Sequence, residues 1–322
     1  MSMLSRWWRS PWLRYGFTAA LLAFILWKAN PSQFWDAARN VSVGNLALAM
    51  VLTVPFLLLK AWRWHILLRA GRCRATFVEA FISLLGGMGV ALLTPARLGE
   101  VTRAAYLSEP RKLRVGALVM VDKVYDVIVL ALLAVAGAAV LVSLLLAVGL
   151  GAAGLVGVFC ALRARDLRSL FALGRKLPLY TKVDKVLAEF AEFGAPVGLT
   201  CLLLTLGSFV VVLAQYYVIL HAWNLGSAQI VVYCFPMVVL TNVVPLTVAG
   251  LGTREGAAIL LLGHYSVPKS IAGTSAFLMF FMNTALPGLI GALITPFYHV
   301  KPAPERPQPA ITVGPTSVGT PQ

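Results

Sequence analysis

Long apolar runs alternate along this chain with short segments that are rich in arginine and lysine. Several runs approach or exceed the roughly 20 residues that cross a bilayer as an α-helix. We therefore predict an all-α polytopic membrane protein with about six transmembrane helices. Four are placed at residues 15–27, 44–59, 198–220 and 271–297, and two more lie between residues 115 and 163, on either side of a turn at residues 143–149.

Two further apolar segments, residues 75–107 and 230–262, each begin and end on one side of the predicted membrane. Proline removes a backbone donor and glycine loosens the chain, and backbone groups freed inside a bilayer need a protein or water partner. Each segment is either a re-entrant hairpin or two tightly packed short helices, and its interruption predicts a polar cavity lined by protein. The interrupting residues are Pro95, Gly99, Gly250 and Gly252.

The order of these elements repeats with opposite orientation. The second helix, the first interrupted segment and the third helix correspond to the fifth helix, the second interrupted segment and the sixth helix turned upside down. Both interruptions contain Ala-x-Leu-Gly, at residues 96–99 and 249–252. Inverted repeats whose interrupted helices meet near the bilayer midplane are typical of alternating-access transporters.

Membrane topology, rather than nucleic-acid binding, explains the formal net charge of +15. Most of the 27 Lys and Arg residues, Lys60 and Arg63 among them, fall in polar segments on one side of the predicted membrane. Because basic loops stay on the cytoplasmic side, both termini are predicted to be cytoplasmic. Four basic residues lie at or near membrane depth and need another explanation: Arg97, Arg103, Lys123 and Arg254.

The polar stretches are too short to bury a separate core, so residues 1–300 are predicted to form one membrane domain. Residues 163–196 have apolar positions at helical spacing among basic residues, which predicts amphipathic helices on the anionic inner leaflet. Residues 301–322 are rich in Pro, Thr and Gly and predict a disordered cytoplasmic tail.

No sequence pattern points to an enzyme. The four cysteines are widely scattered without paired spacing, so neither a disulfide framework nor a zinc site is indicated. No nucleophile and base pair or cluster of metal ligands is visible. We expect a protein that is not an enzyme and that needs no metal or cofactor.

Three charged residues surround the first interruption: Arg97, Glu100 and Arg103. An Asp, Lys or Arg at the bilayer centre costs roughly 2.5 to 3.5 kcal/mol on insertion scales, so such residues usually pair internally or bind something. Two interpretations stay open. The three residues form an ion-pair network that locks the segment, or one arginine in excess over the glutamate holds an anion, since a planar guanidinium suits phosphate.

The third helix carries Asp122 and Asp126 one turn apart on one face, with Lys123 beside them. The two carboxylates pair with cations of the interrupted segments and hold the halves together, or they carry coupling protons. In both cases the residues have a structural or coupling role.

At the second interruption Arg254 and Glu255 are adjacent and cannot point the same way on a helix. We expect one of them to close on the first half of the chain and the other to face the cavity. Asn242 and Asn283 either line the path or form hydrogen bonds between helices.

Three motifs in order carry a resemblance to a known family: LTPARLGEVTR at residues 93–103, VDKVYD at 121–126 and PLTVAGLGTREG at 245–256. The chain resembles the lysylphosphatidylglycerol synthase transmembrane region, a flippase-like integral membrane family, over about residues 43–297. The departures from the family pattern are Thr94 before the proline, Lys123 for the usual arginine and Ala249 for the first glycine.

This resemblance implies a function in lipid handling in a bacterial cytoplasmic (inner) membrane. The family's best-known members join the membrane region to a soluble aminoacyl transferase that modifies phosphatidylglycerol, and without such a domain here we expect translocation without synthesis. The leading hypothesis is a flippase for an anionic phospholipid or a polyprenyl-phosphate-linked lipid. Arg97, Arg103 and Arg254 would contact the phosphate, and Glu100 and Glu255 would orient them or bind a cationic group.

Two other functions stay open. One is a secondary transporter of a small soluble anion, and the other is a non-transporting partner that positions a lipid glycosyltransferase through residues 163–196. The expected partners are a membrane lipid and a lipid-modifying glycosyltransferase or synthase. A homodimer is left open, and nucleic acid is excluded.

Overall fold

The computed structural model describes residues 41–92, 94, 98–109, 111–171, 193–241 and 252–295, and all regular secondary structure within them is helical. This confirms the predicted all-α polytopic class. The elements are α1 (Val43–Ala70), α2 (Phe77–Ala91), a 3-10 segment (Leu98–Tyr106), α3 (Lys112–Leu141), α4 (Leu144–Phe171), α5 (Ala195–His221), α6 (Ala228–Leu240), α7 (Thr253–Gly263), α8 (Lys269–Phe280), a π-helical segment (Phe281–Ala285) and α9 (Leu286–Ile294).

Five of the described helices are long and apolar enough to cross a membrane. They agree with five of the six predicted spans, and the sixth, at residues 15–27, lies outside the described residues together with most of the 163–196 insertion and the 301–322 tail. The five spans are α1, α3, Leu144–Arg163 of α4, α5, and Lys269–Ile294, which joins α8, the π-helical segment and α9.

Helix α1 is longer than the sequence suggested. The predicted end near residue 59 is wrong, because the helix continues through Lys60 and Arg63 to Ala70. Trp64 and Leu67 extend the buried face of the helix past those two basic residues, and both are fully buried. Lys60 and Arg63 therefore lie inside the protein and not in a cytoplasmic loop.

Two short helices begin the interrupted segments. Helix α2 has 15 residues and α6 has 13, too few to cross a bilayer of ordinary thickness. The chain leaves α2 for the 3-10 segment and leaves α6 for α7. Of the predicted interrupting residues, Gly99 and Gly252 are described, whereas Pro95 and Gly250 lie outside the described residues.

The first half of the chain (α1 to α3) and the second half (α5 to α9) exchange their short helices, in the sense that each half packs its short helix against the other half. Helix α2 packs against α9, α6 packs against α3, and α1 runs along α5. A glycine allows close packing at each of these two contacts. A Cβ on Gly291 of α9 would lie 2.2 Å from the Leu85 carbonyl oxygen of α2, and a Cβ on Gly137 of α3 would lie 2.0 Å from the Tyr233 carbonyl oxygen of α6. Small residues at such crossings let membrane helices approach closely.

The buried apolar side chains form two main clusters at opposite ends of the contact between α1 and α5. One contains Trp64, Leu84 and Tyr125 from the first half, and the other is built around Tyr216 and Phe235 from the second half. Many large apolar side chains remain exposed on the outside, notably along α4. Such a surface is expected where lipid is the solvent.

Replacing Gly291 by alanine should lower the stability of the protein by about 1–3 kcal/mol, because the added methyl group would collide with the backbone of α2. Gly149→Ala in α4 is the matched control, since a Cβ there has no neighbour within 4 Å. Thermal unfolding in detergent measures both variants. Equal melting temperatures for the two variants would contradict the tight crossing.

Candidate functional site

Two carboxylates of α3 meet two basic side chains of α1. Arg63 donates to Asp122 and to Asp126, each at 2.7 Å, and Lys60 lies 3.0 Å from Asp126. Arg63 is only 1% exposed and also donates to the Thr205 hydroxyl of α5 at 2.6 Å. These contacts tie α1, α3 and α5 together at one level.

The pairing follows from helical spacing. Lys60 and Arg63 are three residues apart on α1, and Asp122 and Asp126 are four apart on α3, so each pair lies on one helix face. Sequence reasoning placed Lys60 and Arg63 in the cytoplasmic basic segment that continues to Arg74 and missed them as site residues. The signal that could have found them is this matched spacing of two cations and two anions.

Arg103 joins the network from the 3-10 segment. It pairs with the Glu100 carboxylate, donates to Asp122 at 2.9 Å and lies 5.4 Å over the Trp64 ring. Asp122 therefore accepts from Arg63 and Arg103 at once, and all three side chains are buried. The surroundings of Arg103 favour the first of the two interpretations for this residue, an ion-pair network that locks the segment.

Glu100 extends the network to a second basic residue of α3. Its carboxylate accepts a hydrogen bond from Lys123 at 2.5 Å, and the side chain is almost fully buried. Gly99 is pressed against α2, since a Cβ there would lie 2.6 Å from the Val90 carbonyl carbon and oxygen. The 3-10 segment thus presents Glu100 from a position fixed by backbone packing.

Thr94, one of the departures from the family pattern, helps to order the first interruption. Its hydroxyl accepts a hydrogen bond from the Gly99 backbone N–H at 2.7 Å and donates to the Ala91 carbonyl at 3.3 Å. Sequence reasoning noted Thr94 but gave it no role.

At the second interruption, adjacent charged residues diverge. Gly252 has φ of +88°, a conformation that glycine adopts readily, and its N–H donates to Glu255 at 2.6 Å. Glu255 therefore caps the start of its own helix, α7. Arg254 is buried and its guanidinium lies 5.0 Å over the Phe280 ring.

A cavity of about 360 Å³ lies between the two halves. It brings Glu100 of the first interrupted segment and Arg254 of the second to the same space. The other ionisable and polar residues that line it are Lys60, Lys123, Asp126, Ser208, Asn283 and Thr284. Its remaining walls are apolar: Phe56, Val101, Val119, Met120, Val127, Leu130, Phe209, Val212, Phe235, Val239, Met279 and Phe280.

Only part of the predicted site reaches this cavity. Glu100, Lys123, Asp126, Arg254 and Asn283 line it. Arg103 and Asp122 lie in the ion-pair network behind it, and Glu255 caps α7 and is not among the lining residues. Arg97, Asn242, Pro95 and Gly250 lie outside the described residues.

The charges around the cavity favour an anion. Among the described residues of the lining and its supporting network, five are basic and three are acidic. The formal balance is therefore positive by two, in an environment of low dielectric where charges act strongly. The basic residues are Lys60, Arg63, Arg103, Lys123 and Arg254, and the acidic ones are Glu100, Asp122 and Asp126.

Fold and site together define a multi-pass helical membrane protein with ionisable side chains enclosed between two interrupted helical segments. Residues 12–291 match the family model described as the lysylphosphatidylglycerol synthase TM region, and the chain belongs to this family. The match confirms the resemblance carried by the three motifs and extends it toward the N-terminus. No curated protein and no solved structure matches the chain.

Removing the Arg63 guanidinium should destabilise the fold by about 3–5 kcal/mol, because Asp122 and Asp126 would then lose a buried partner. Arg63→Gln is compared with Arg69→Gln by thermal unfolding in detergent. Arg69 is an exposed residue in the last turn of the same helix, α1. The Arg69 variant should leave the melting temperature nearly unchanged, and a similar loss in both variants would refute the buried network.

Proposed function

We propose that this protein moves an anionic lipid, a phospholipid or a polyprenyl-phosphate-linked lipid, across the bacterial cytoplasmic membrane. The observation that carries the proposal is the shared cavity, which joins Glu100 of one interrupted segment to Arg254 of the other. Membership of a family named for lipid chemistry supports the lipid-related part of the proposal. The protein would translocate the lipid without modifying it.

The mixed lining of the cavity suits the headgroup end of a lipid. Lys60, Lys123 and Arg254 supply cations for a phosphate, while aromatic and aliphatic side chains form most of the wall. A volume of about 360 Å³ lies at the small end of ligand sites and accommodates a headgroup but not two acyl chains. The tails must therefore remain outside, in the bilayer.

One edge of the cavity reaches the outer surface of the helical bundle. Met120 and Val127 of α3 line the cavity and are also 43% and 41% exposed. An apolar edge of this kind would let acyl chains stay in lipid while the headgroup is inside. This favours a lipid over a small soluble anion, which has no need of an opening toward the bilayer.

The exchange of short helices supports alternating access between two inverted repeats. Each half inserts its short helix against a long helix of the other half, α2 on α9 and α6 on α3. A relative movement of the halves would then move Glu100 relative to Arg254 and change which side the cavity faces. In this proposal the interrupted segments are re-entrant, and both termini lie in the cytoplasm, as the distribution of basic residues predicts.

Within this mechanism the charged residues have three roles. Asp122, Arg63 and Arg103 form a fixed support, because all three are buried and both arginines pair with Asp122. Lys123 and Arg254 face the cavity from opposite halves and bind the phosphate. Glu100 orients Lys123, with which it pairs.

Arg254→Gln should slow lipid translocation roughly tenfold or more, since it removes a charged hydrogen-bond donor from a desolvated site. The assay follows dithionite quenching of fluorescent phosphatidylglycerol in proteoliposomes. Lys269→Gln is the matched control, because it also removes one positive charge but from an exposed position at the start of α8.

Wild-type rates in a folded Arg254→Gln variant would remove this cavity from the transport path. Uptake of a soluble phosphate ester into vesicles without lipid translocation would instead support the small-anion transporter. Copurification of a glycosyltransferase that survives complete loss of transport would support the partner hypothesis.

A further inference from the structure

A chain of amide hydrogen bonds crosses from α1 through α5 to the π-helical segment beside the cavity. The Gln215 amide nitrogen donates to the Ala49 carbonyl at 2.8 Å and to the Thr53 hydroxyl at 3.0 Å. The Gln215 amide oxygen accepts from the Asn283 amide nitrogen at 2.6 Å. Since both donors of Gln215 are committed to α1, its oxygen must face Asn283.

This chain fixes the orientation of the Asn283 amide. With its nitrogen donating to Gln215, the Asn283 side-chain oxygen is left as an acceptor. Among the described residues no donor reaches that oxygen, although Asn283 is only 7% exposed and lines the cavity. Buried polar atoms almost always have a partner, so an acceptor in this position points to a ligand.

The local backbone explains how Asn283 comes to the cavity. Residues Phe281–Ala285 form a π-helical turn in which the Leu286 N–H bonds to the Phe281 carbonyl, five residues earlier. Pro287, four residues after Asn283, has no N–H for the ordinary helical bond to the Asn283 carbonyl. Wider turns of this kind are rare and occur frequently at functional sites.

We infer that the Asn283 side-chain oxygen accepts a hydrogen bond from a hydroxyl group of the lipid headgroup. This inference rests on the proposed function and narrows its substrate class to anionic phosphodiester lipids whose headgroup carries hydroxyls, such as a glycerol or a sugar. The surrounding charge selects the kind of donor. Three cations, those of Lys60, Lys123 and Arg254, line the same cavity against two carboxylates, and each carboxylate already pairs with one of the lysines. The remaining positive charge disfavours an ammonium group, whereas a neutral hydroxyl is accepted without that repulsion.

Two short-chain lipids of equal charge test the inference: dioctanoyl phosphatidylglycerol, which has headgroup hydroxyls, and dioctanoyl phosphatidylmethanol, which has none. We expect the wild-type protein to bind the glycerol lipid roughly three- to tenfold more tightly, as one net hydrogen bond implies. Isothermal titration calorimetry in detergent measures both affinities. Asn283→Leu should weaken the binding of phosphatidylglycerol only, so that the two lipids bind with similar affinity.

Two more variants separate recognition from folding. The double variant Gln215→Leu and Asn283→Leu replaces both amides by apolar side chains, so that neither amide remains buried without the other. The preference for phosphatidylglycerol should still be lost. Tyr216→Phe is the control. It removes a buried hydrogen bond of 3.1 Å to Ser275 between α5 and α8, away from the cavity lining, and should keep the preference.

Equal binding of the two lipids by the wild-type protein would overturn the inference, as would failure of both to bind. An equal loss of both affinities in Asn283→Leu would also overturn it, because the residue would then act only through the fold. The translocation assay separates the two proposals. Translocation without headgroup preference removes the role of Asn283 alone, whereas headgroup preference without translocation keeps that role and removes the proposed transport.

Discussion

The membrane domain depends on one buried carboxylate, that of Asp122, which lies between two arginines. Arg63 comes from α1 and Arg103 from the 3-10 segment, so a single side chain of α3 joins three elements. A buried charge is tolerated only when it is paired and hydrogen-bonded, and loss of one partner leaves the others uncompensated. The first interrupted segment is therefore held against α1 and α3 by buried ion pairs, and breaking them would cost free energy.

This ion-pair network fixes the positions of the charged groups that line the cavity. Glu100 belongs to the same 3-10 segment as Arg103 and faces Lys123, while Arg254 enters from the other half over the Phe280 ring. The polar wall is thus assembled from both halves, whose short helices are exchanged. A headgroup bound there would contact both halves at once, which is the arrangement that coupled movement of two repeats requires.

The sequence predicted the features that have local signals. Proline, glycine and charge within apolar runs are conspicuous, so both interruptions and the presence of Glu100 and Arg254 at one cavity could be expected from the chain alone. The buried positions of Lys60 and Arg63 could not be predicted, because their neighbours in sequence resemble a cytoplasmic basic segment. Only their ion pairs with Asp122 and Asp126 of α3 show that they lie inside the protein. The helix-capping role of Glu255 and the contact between Gln215 and Asn283 likewise depend on backbone geometry and on distant parts of the chain.

A cryo-electron microscopy structure in nanodiscs containing phosphatidylglycerol would test the central claim most directly. We expect headgroup density in the cavity, with the phosphate between Lys123 and Arg254 and the acyl chains leaving past Met120 and Val127. A cavity that contains no lipid, with Arg254 closed directly onto Glu100, would contradict it.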